Sequence, residues 1–378
     1  MKKIIFILFL ILSLLAFFII RFSTTTPQTP KLDYSALNDI NSCLKDGGFI
    51  NIACYDEKLT LSKISSEQLI DDLFALVESR KVDLVNCHSI LHSVGKHAAN
   101  KREGYIENLK NSKKFIFVNS NCMEGFVHGV MEGFALADER DFDSLDVKVK
   151  EVCDSAWEDT HGLASEMLAF ANDPYLACAH GSGHIIGTVS EGDYLRGVLL
   201  CDIYYSFAAR YSCASGLAME WAISVLNIKA INGVVADSNS PLAVNGRASE
   251  ICFTKTLSEY QAGACLQYMV NFFDRSTIAD AEILSVCDLT EESMLSSCAL
   301  GAGMRLGTIN TKENPLLRIK GCNLSGNDSF KEICWFTYLN VINGYGYKTS
   351  VPICEEGLVL LGIKSQWVCK NVKKLQKA

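Results

Sequence analysis

Sixteen cysteines constrain this chain more than any other feature. They fall at positions 43, 54, 87, 122, 153, 178, 201, 213, 252, 265, 287, 298, 322, 334, 354 and 369. Taken in order as eight pairs, six are separated by 11 to 15 residues, while Cys87/Cys122 and Cys153/Cys178 are 35 and 25 apart. The first members of the last four pairs, Cys252, Cys287, Cys322 and Cys354, recur at intervals of 35, 35 and 32 residues. A period near 34 is that of a helix-turn-helix repeat. With 378 residues, 49% of them hydrophobic, the chain can bury a core of its own, so the cysteines are not the framework of a mini-protein. Only six prolines and 21% charged residues also exclude a disordered or collagen-like chain.

Local patterns agree with the period. Residues 279–287 read as the end of one helix, 288–292 as a polar turn, and 293–306 as a second helix carrying Cys298. Residues 315–322 and 329–341 repeat the two roles, and 351–374 reads as the last hairpin. Neighbouring cysteines are expected to pair, each pair linking the two helices of one hairpin; sequence alone leaves other connectivities open. Closing each such loop contributes ~3 kcal/mol if the effect is one of chain entropy.

A second alignment places glycines against these cysteines. Cys122, Cys178, Cys213 and Cys298 each begin a Cys-x2-Gly-x2-(His or Met) segment, with glycines at 125, 181, 216 and 301 and the sixth offset filled by His128, His184, Met219 and Met304. A glycine inside a helix costs ~1 kcal/mol against alanine, so four at one offset imply that a neighbouring backbone comes close there. The spacing puts cysteine and glycine together on the face turned to the paired helix.

This layout resembles the Sel1-like and TPR-like class of α-repeat proteins, particularly cysteine-rich secreted members in which each helical hairpin carries a disulfide. The resemblance covers Cys252 to the carboxyl terminus best and residues 150–250 less well. It implies an all-α fold of disulfide-stapled hairpins stacked as an α-solenoid. The Cys-His and His-Gly segments are also similar to those of membrane-anchored proteins without an assigned activity.

The amino terminus sets the expected compartment. Lys2 and Lys3 precede seventeen positions, Ile4 to Ile20, interrupted only by Ser13 and followed by Arg21. That run is at the short edge of a membrane-spanning helix and longer than the usual signal-peptide core; no small-x-small cleavage pattern follows, so an uncleaved anchor is favoured. The positive charge before the span keeps the amino terminus cytoplasmic and puts the bulk of the chain outside the cell membrane, where thiols pair. The expected organisation is an anchor over 1–21, a tether over 22–35, a helical part with a His-rich site over 36–190, and cysteine-paired hairpin repeats over 191–378. Without Lys2, Lys3 and Arg21, 32 basic residues face 43 acidic ones, which argues against a nucleic-acid partner.

All seven histidines lie between positions 88 and 184. His88 and His92 are four apart on one expected helix, and His180 and His184 are four apart on another; that spacing lets two imidazoles reach one metal ion. Offsets +2, +6 and +10 from the aligned cysteines give Glu124, His128 and Glu132, then His180, His184 and Thr188. The later copies have Ser215, Met219 and Ile223, then Leu300, Met304 and Thr308. The scaffold therefore does not require the histidines, which points to an added site. The expected ligands are His88, His92, His128, His180 and His184, with Glu132 as carboxylate ligand or proton acceptor. His161, three residues after Glu158, is a second-tier ligand.

Zinc, copper and iron suit such a set equally. The chain has no Cys-x2-Cys, Cys-x2-Cys-His or His-Glu-x2-His motif, which excludes covalent c-type haem but leaves bis-histidine haem b open. The competing reading is a cell-envelope scaffold that binds a protein or glycan on a concave surface, with histidines that are structural.

Overall fold

The computed structural model describes residues 84–99, 105–112, 120–137, 142–157, 173–190, 193–225, 251–272, 287, 292–308 and 320–344. All lie in one compact unit, Ile40–Ala378. The predicted anchor and tether, His161, and the pairing of Cys43/Cys54 and Cys354/Cys369 lie outside the described residues. Among the described residues no helix is long and apolar enough to cross a membrane.

The described elements are helical throughout. They are α1 (Leu84–Ala99), α2 (Tyr105–Asn111), α3 (Ser120–Ala137), α4 (Phe142–Ala156), α5 (Pro174–Val189), α6 (Tyr194–Val198), α7 (Phe207–Val225), α8 (Glu259–Phe272), α9 (Glu292–Thr308) and α10 (Asp328–Gly344). Short 3-10 segments at Leu199–Ile203 and Lys320–Leu324 complete the set. The long helices pack in series: α1 on α3, α3 on α5, α5 on α7, α7 on α8, α8 on α9 and α9 on α10. α4 lies against α5.

Start signals are local. Asp173 accepts from the backbone N–H groups of Tyr175 and Leu176 ahead of Pro174, and Asp193 accepts from that of Arg196, so α5 and α6 begin where orphan donors find a carboxylate. Asn327 does the same for the Phe330 N–H at the start of α10.

Five of the expected neighbour pairs are disulfides: Cys153–Cys178, Cys201–Cys213, Cys252–Cys265, Cys287–Cys298 and Cys322–Cys334. Cys122 is also disulfide-bonded. In the last four pairs the second cysteine is the seventh residue of α7, α8, α9 and α10 in turn. Where the first arm is described, the hairpins are unequal. Cys201 and Cys322 sit on 3-10 segments rather than at the end of a regular α-helix. Tightening the last turn of an arm is the ordinary use of 3-10 geometry, and it delivers these cysteines to Cα separations of 5.6 and 5.7 Å.

The glycines do what their offset implied, but toward a different neighbour. A Cβ on Gly216 would overlap the His180 carbonyl oxygen of α5, and one on Gly301 the Gln267 carbonyl oxygen of α8. The cysteine three residues earlier bonds instead to a cysteine 12 or 11 residues before it, Cys213 to Cys201 and Cys298 to Cys287. Residues three apart on a helix differ by about 60° around the axis, enough to address two different partners. Cysteine thus closes each hairpin, and glycine seats one long helix on the next. In α3 the same device is repeated: Gly125 abuts the His88 carbonyl and Gly129 the His92 carbonyl of α1. Gly181 meets side chains, with Met131 Cγ at 3.1 Å from a Cβ placed there.

Trp221 and Trp335 are buried in the core.

Candidate metal centre

Every residue from Tyr175 to Gly187 on α5 is buried, so its two histidines need partners that repay their loss of water. The glycine-backed seams supply them, because helices that touch backbone to backbone bring side chains flanking the seam within reach of each other. His128 on α3 and His180 and His184 on α5 are 3%, 5% and 7% exposed. Their ring centroids are 4.8 to 4.9 Å apart, with His128 and His180 stacked. One ligand nitrogen from each lies within 4.8 Å of the others.

Hydrogen bonds fix which nitrogens are presented. The Ser215 hydroxyl donates to the Ser212 carbonyl at 2.7 Å, so it can only accept at the 2.7 Å contact with His180, whose Nδ1–H is the donor. Nε2 of His180 then carries the lone pair. His184 Nδ1 lies 2.6 Å from Glu220 Oε1, which leaves its Nε2 as the second presented atom. Nε2 of His184 and Nε2 of His128 are buried and make no hydrogen bond. The nearest carboxylate oxygen to His128 Nε2, on Glu124, is 3.9 Å away. An imidazole held through one nitrogen by a carboxylate, with the other left bare, is the usual arrangement of a metal-bound histidine.

The electrostatics keep two of the three rings neutral. Burial, followed by the neighbouring His180, His184, His88 and His92, holds His128 well below the usual imidazole range. Burial, His184 and His88 do the same to His180, against a raising backbone hydrogen bond at Ser212. For His184 burial also lowers the value, but the hydrogen bond and charge of Glu220, with Glu132 and Glu124 beyond it, raise it overall. Burial pushes Glu124 up to about 7, with His184 pulling the other way. Because 40% of its side chain faces solvent, water offsets part of that push.

The remaining expected ligands lie beside this trio. His88 and His92 are on α1, and the His88 ring stands edge-on to His128 at 5.3 Å. His92 Nε2 is 3.2 Å from Glu132 Oε1, and Lys96 Nζ is 3.4 Å from Glu132 Oε2. Burial would raise Glu132, but the hydrogen bond and charge of His92, then Lys96 and His184, carry it down to about 2. A carboxylate so committed is a poor proton acceptor, whereas Glu124 titrates near neutrality. Cys178 is tied to Cys153, so it offers no thiolate.

Sequence reasoning missed Glu220, Lys96 and Tyr268 as members of the site. Glu220 is one of the few charges in the apolar run 198–236, a usable signal. Tyr268 stands three residues after Cys265, where the aligned copies have glycine. Its ring is 6.0 Å from that of His180, and its phenol shares a hydrogen bond with Ser215.

Among the described residues, fold and site define an all-helical, disulfide-stapled scaffold with a buried cluster of three histidines able to hold a metal ion. No protein-family model matches the chain, and neither a curated protein nor a solved structure does so.

Proposed function

We propose that this is a metal-binding protein whose ion is held by His128, His180 and His184, in an extracytoplasmic α-helical array tethered to the cell membrane by residues 4–20. The observation that carries the reading is the pair of buried ring nitrogens, Nε2 of His128 and of His184, that make no hydrogen bond. Beside them, His180 is locked by Ser215 into the tautomer that presents Nε2. Leaving such atoms unpaired costs about 1–3 kcal/mol each, a cost that an ion between them removes.

Zinc, copper and iron all accept such a set. Three protein nitrogens leave a fourth position for water, the arrangement of ions that activate it, and Glu124 is the carboxyl best placed to accept a proton. Haem b is the weaker fit, since rings within 4.9 Å of one another leave no slot for a macrocycle. The serial packing of long helices supports continuation of the array as a solenoid. The uncleaved span and the cysteine pairing support the extracytoplasmic placement.

The test is elemental analysis and an absorption spectrum of the purified full chain in detergent, wild type against His128→Ala plus His184→Ala. Stoichiometric metal in the wild type and its loss in the variant are expected. No metal in either, with unchanged stability, would favour the rival reading of an envelope scaffold with structural histidines.

A further inference from the structure

We propose that Tyr268 is a positioning residue of the three-histidine centre, whose phenol acts through Ser215 to keep the His180 proton on Nδ1 and Nε2 free for an ion. The inference rests on the reading of that centre and deepens it. Tyr268 stands three residues after Cys265, at the offset where Cys122, Cys178, Cys213 and Cys298 are followed by glycine. At Gly216 and Gly301 that offset lets a long helix rest on its neighbour's backbone. Tyr268 puts a side chain into the seam instead. It is 6% exposed, meets Ser215 of α7, and brings its ring to 6.0 Å from that of His180 on α5. α7 packs on both α5 and α8, so three helices share one hydrogen-bonded line.

The direction of each bond follows from the atoms. A hydroxyl has one proton to give and two lone pairs with which to accept. The Ser215 proton goes to the Ser212 carbonyl at 2.7 Å, and one lone pair faces His180 Nδ1, also at 2.7 Å. The bond to the Tyr268 phenol falls to the other lone pair, so the phenol is its donor. Every bonding position of this buried serine is then filled. Without the phenol the Ser215 hydroxyl is free to turn, leave the Ser212 carbonyl and donate to His180 Nδ1. The ring proton then moves to Nε2, the atom an ion needs. The Ser212 carbonyl, which also bonds to His180 and can only accept, works in the same direction as Tyr268.

The competing account is that a buried tyrosine merely ties helices together, as Tyr211 does at the next seam. Tyr211 on α7 donates to Gln267 Oε1 of α8 at 2.6 Å and lies 3.1 Å from Ser297 Oγ of α9. The two tyrosines are alike in burial and in spanning two seams, and differ in that only the Tyr268 line ends on a residue of the three-histidine cluster. Tyr211 is therefore the control. A tie that is only structural changes stability at either position; a positioning residue changes the imidazole as well.

The experiment uses the full chain in detergent, as wild type, Tyr268→Phe, Ser215→Ala, the double variant and Tyr211→Phe. Zinc affinity is read by chelator competition, the imidazole tautomers of the metal-free chains by nitrogen NMR, and helicity by circular dichroism. Tyr268→Phe, which keeps the ring, should weaken zinc binding about tenfold and give His180 a population with the proton on Nε2. Adding Tyr268→Phe to Ser215→Ala should weaken binding no further, because the phenol acts through that hydroxyl. Tyr211→Phe should leave both zinc affinity and the tautomers unchanged. Wild-type affinity and tautomers in Tyr268→Phe overturn the positioning role and leave the metal centre standing. A further loss in the double variant, or an equal loss in Tyr211→Phe, also overturns it. No zinc in the wild type overturns the centre and the role together.

Discussion

The α3–α5–α7 region and the α8–α9–α10 region are built on one plan and lined differently. In both, a disulfide ties a long helix to a cysteine 11 or 12 residues earlier in the chain and a glycine seats that helix on a neighbour's carbonyl, Gly216 on His180 in the first region and Gly301 on Gln267 in the second. The seams beside those contacts differ. In the second region Gln267 Oε1 accepts from the Tyr211 hydroxyl at 2.6 Å and Gln267 Nε2 donates to Met304 Sδ at 3.2 Å, so the buried polar row satisfies itself. In the first region two imidazole nitrogens are left without a hydrogen bond. Trp335 Nε1 in the second region is also buried without a hydrogen bond, so it is the convergence of the bare imidazole nitrogens with His180, and not their being unpaired alone, that marks the first region as able to hold an ion.

The two regions should respond differently to substitution and to pH. The largest effect is expected from the glycines. Gly216→Val and Gly301→Val each drive a side chain into a backbone carbonyl and should cost about 3 kcal/mol, read from urea unfolding of the full chain. Only Gly216→Val, which displaces His180, should also lose zinc. Equal zinc loss in both would mean that the two seams are not functionally distinct.

Next in size is a comparison of two polar partners. Glu220→Gln removes the carboxylate that orients His184 and should weaken zinc binding by about 10–100-fold in a chelator competition. Gln267→Ala, which leaves Tyr211 and Met304 without their partner, should cost about 1–2 kcal/mol of stability and leave zinc affinity unchanged. A Glu220→Gln chain with wild-type affinity would remove Glu220 from the site.

The smallest effect is the pH dependence of metal-free stability between pH 7 and 5. His180 is held below its unfolded value of 6.5, so on acidification the unfolded chain takes up that proton first and stability falls. Glu124 has the opposite sign. Raised to about 7 from 4.5, it contributes stability at low pH that is lost as pH rises through its folded value. Compared with the wild type, His180→Ala should therefore lose less stability on acidification and Glu124→Gln should lose more. Parallel pH profiles for all three chains would contradict these environments.

Much of the scaffold is legible in the sequence because its devices are local. Cysteine spacing gives five disulfides as they are, and the helix expected at 293–306 is matched by α9, Glu292–Thr308. The glycine offset announces a close backbone but not whose, because two faces about 60° apart can address different neighbours. Within the site, His128, His180 and His184 are readable from their departure from the repeat. That His88, His92 and Glu132 lie beside this trio rather than within it depends on how α1 sits on α3, which no local pattern encodes. Glu220 is hidden for a related reason: its meaning comes from α5, 36 residues away in sequence from His184 to Glu220.

In the proposed centre, histidine nitrogens of this chain, and not its cysteines, surround the metal ion. The most direct test is the X-ray absorption spectrum of the zinc-loaded full chain. We predict a first shell of nitrogen and oxygen at about 2.0–2.1 Å with the outer-shell pattern of imidazole and no sulfur. A sulfur shell at about 2.3 Å, or no imidazole pattern, would contradict it.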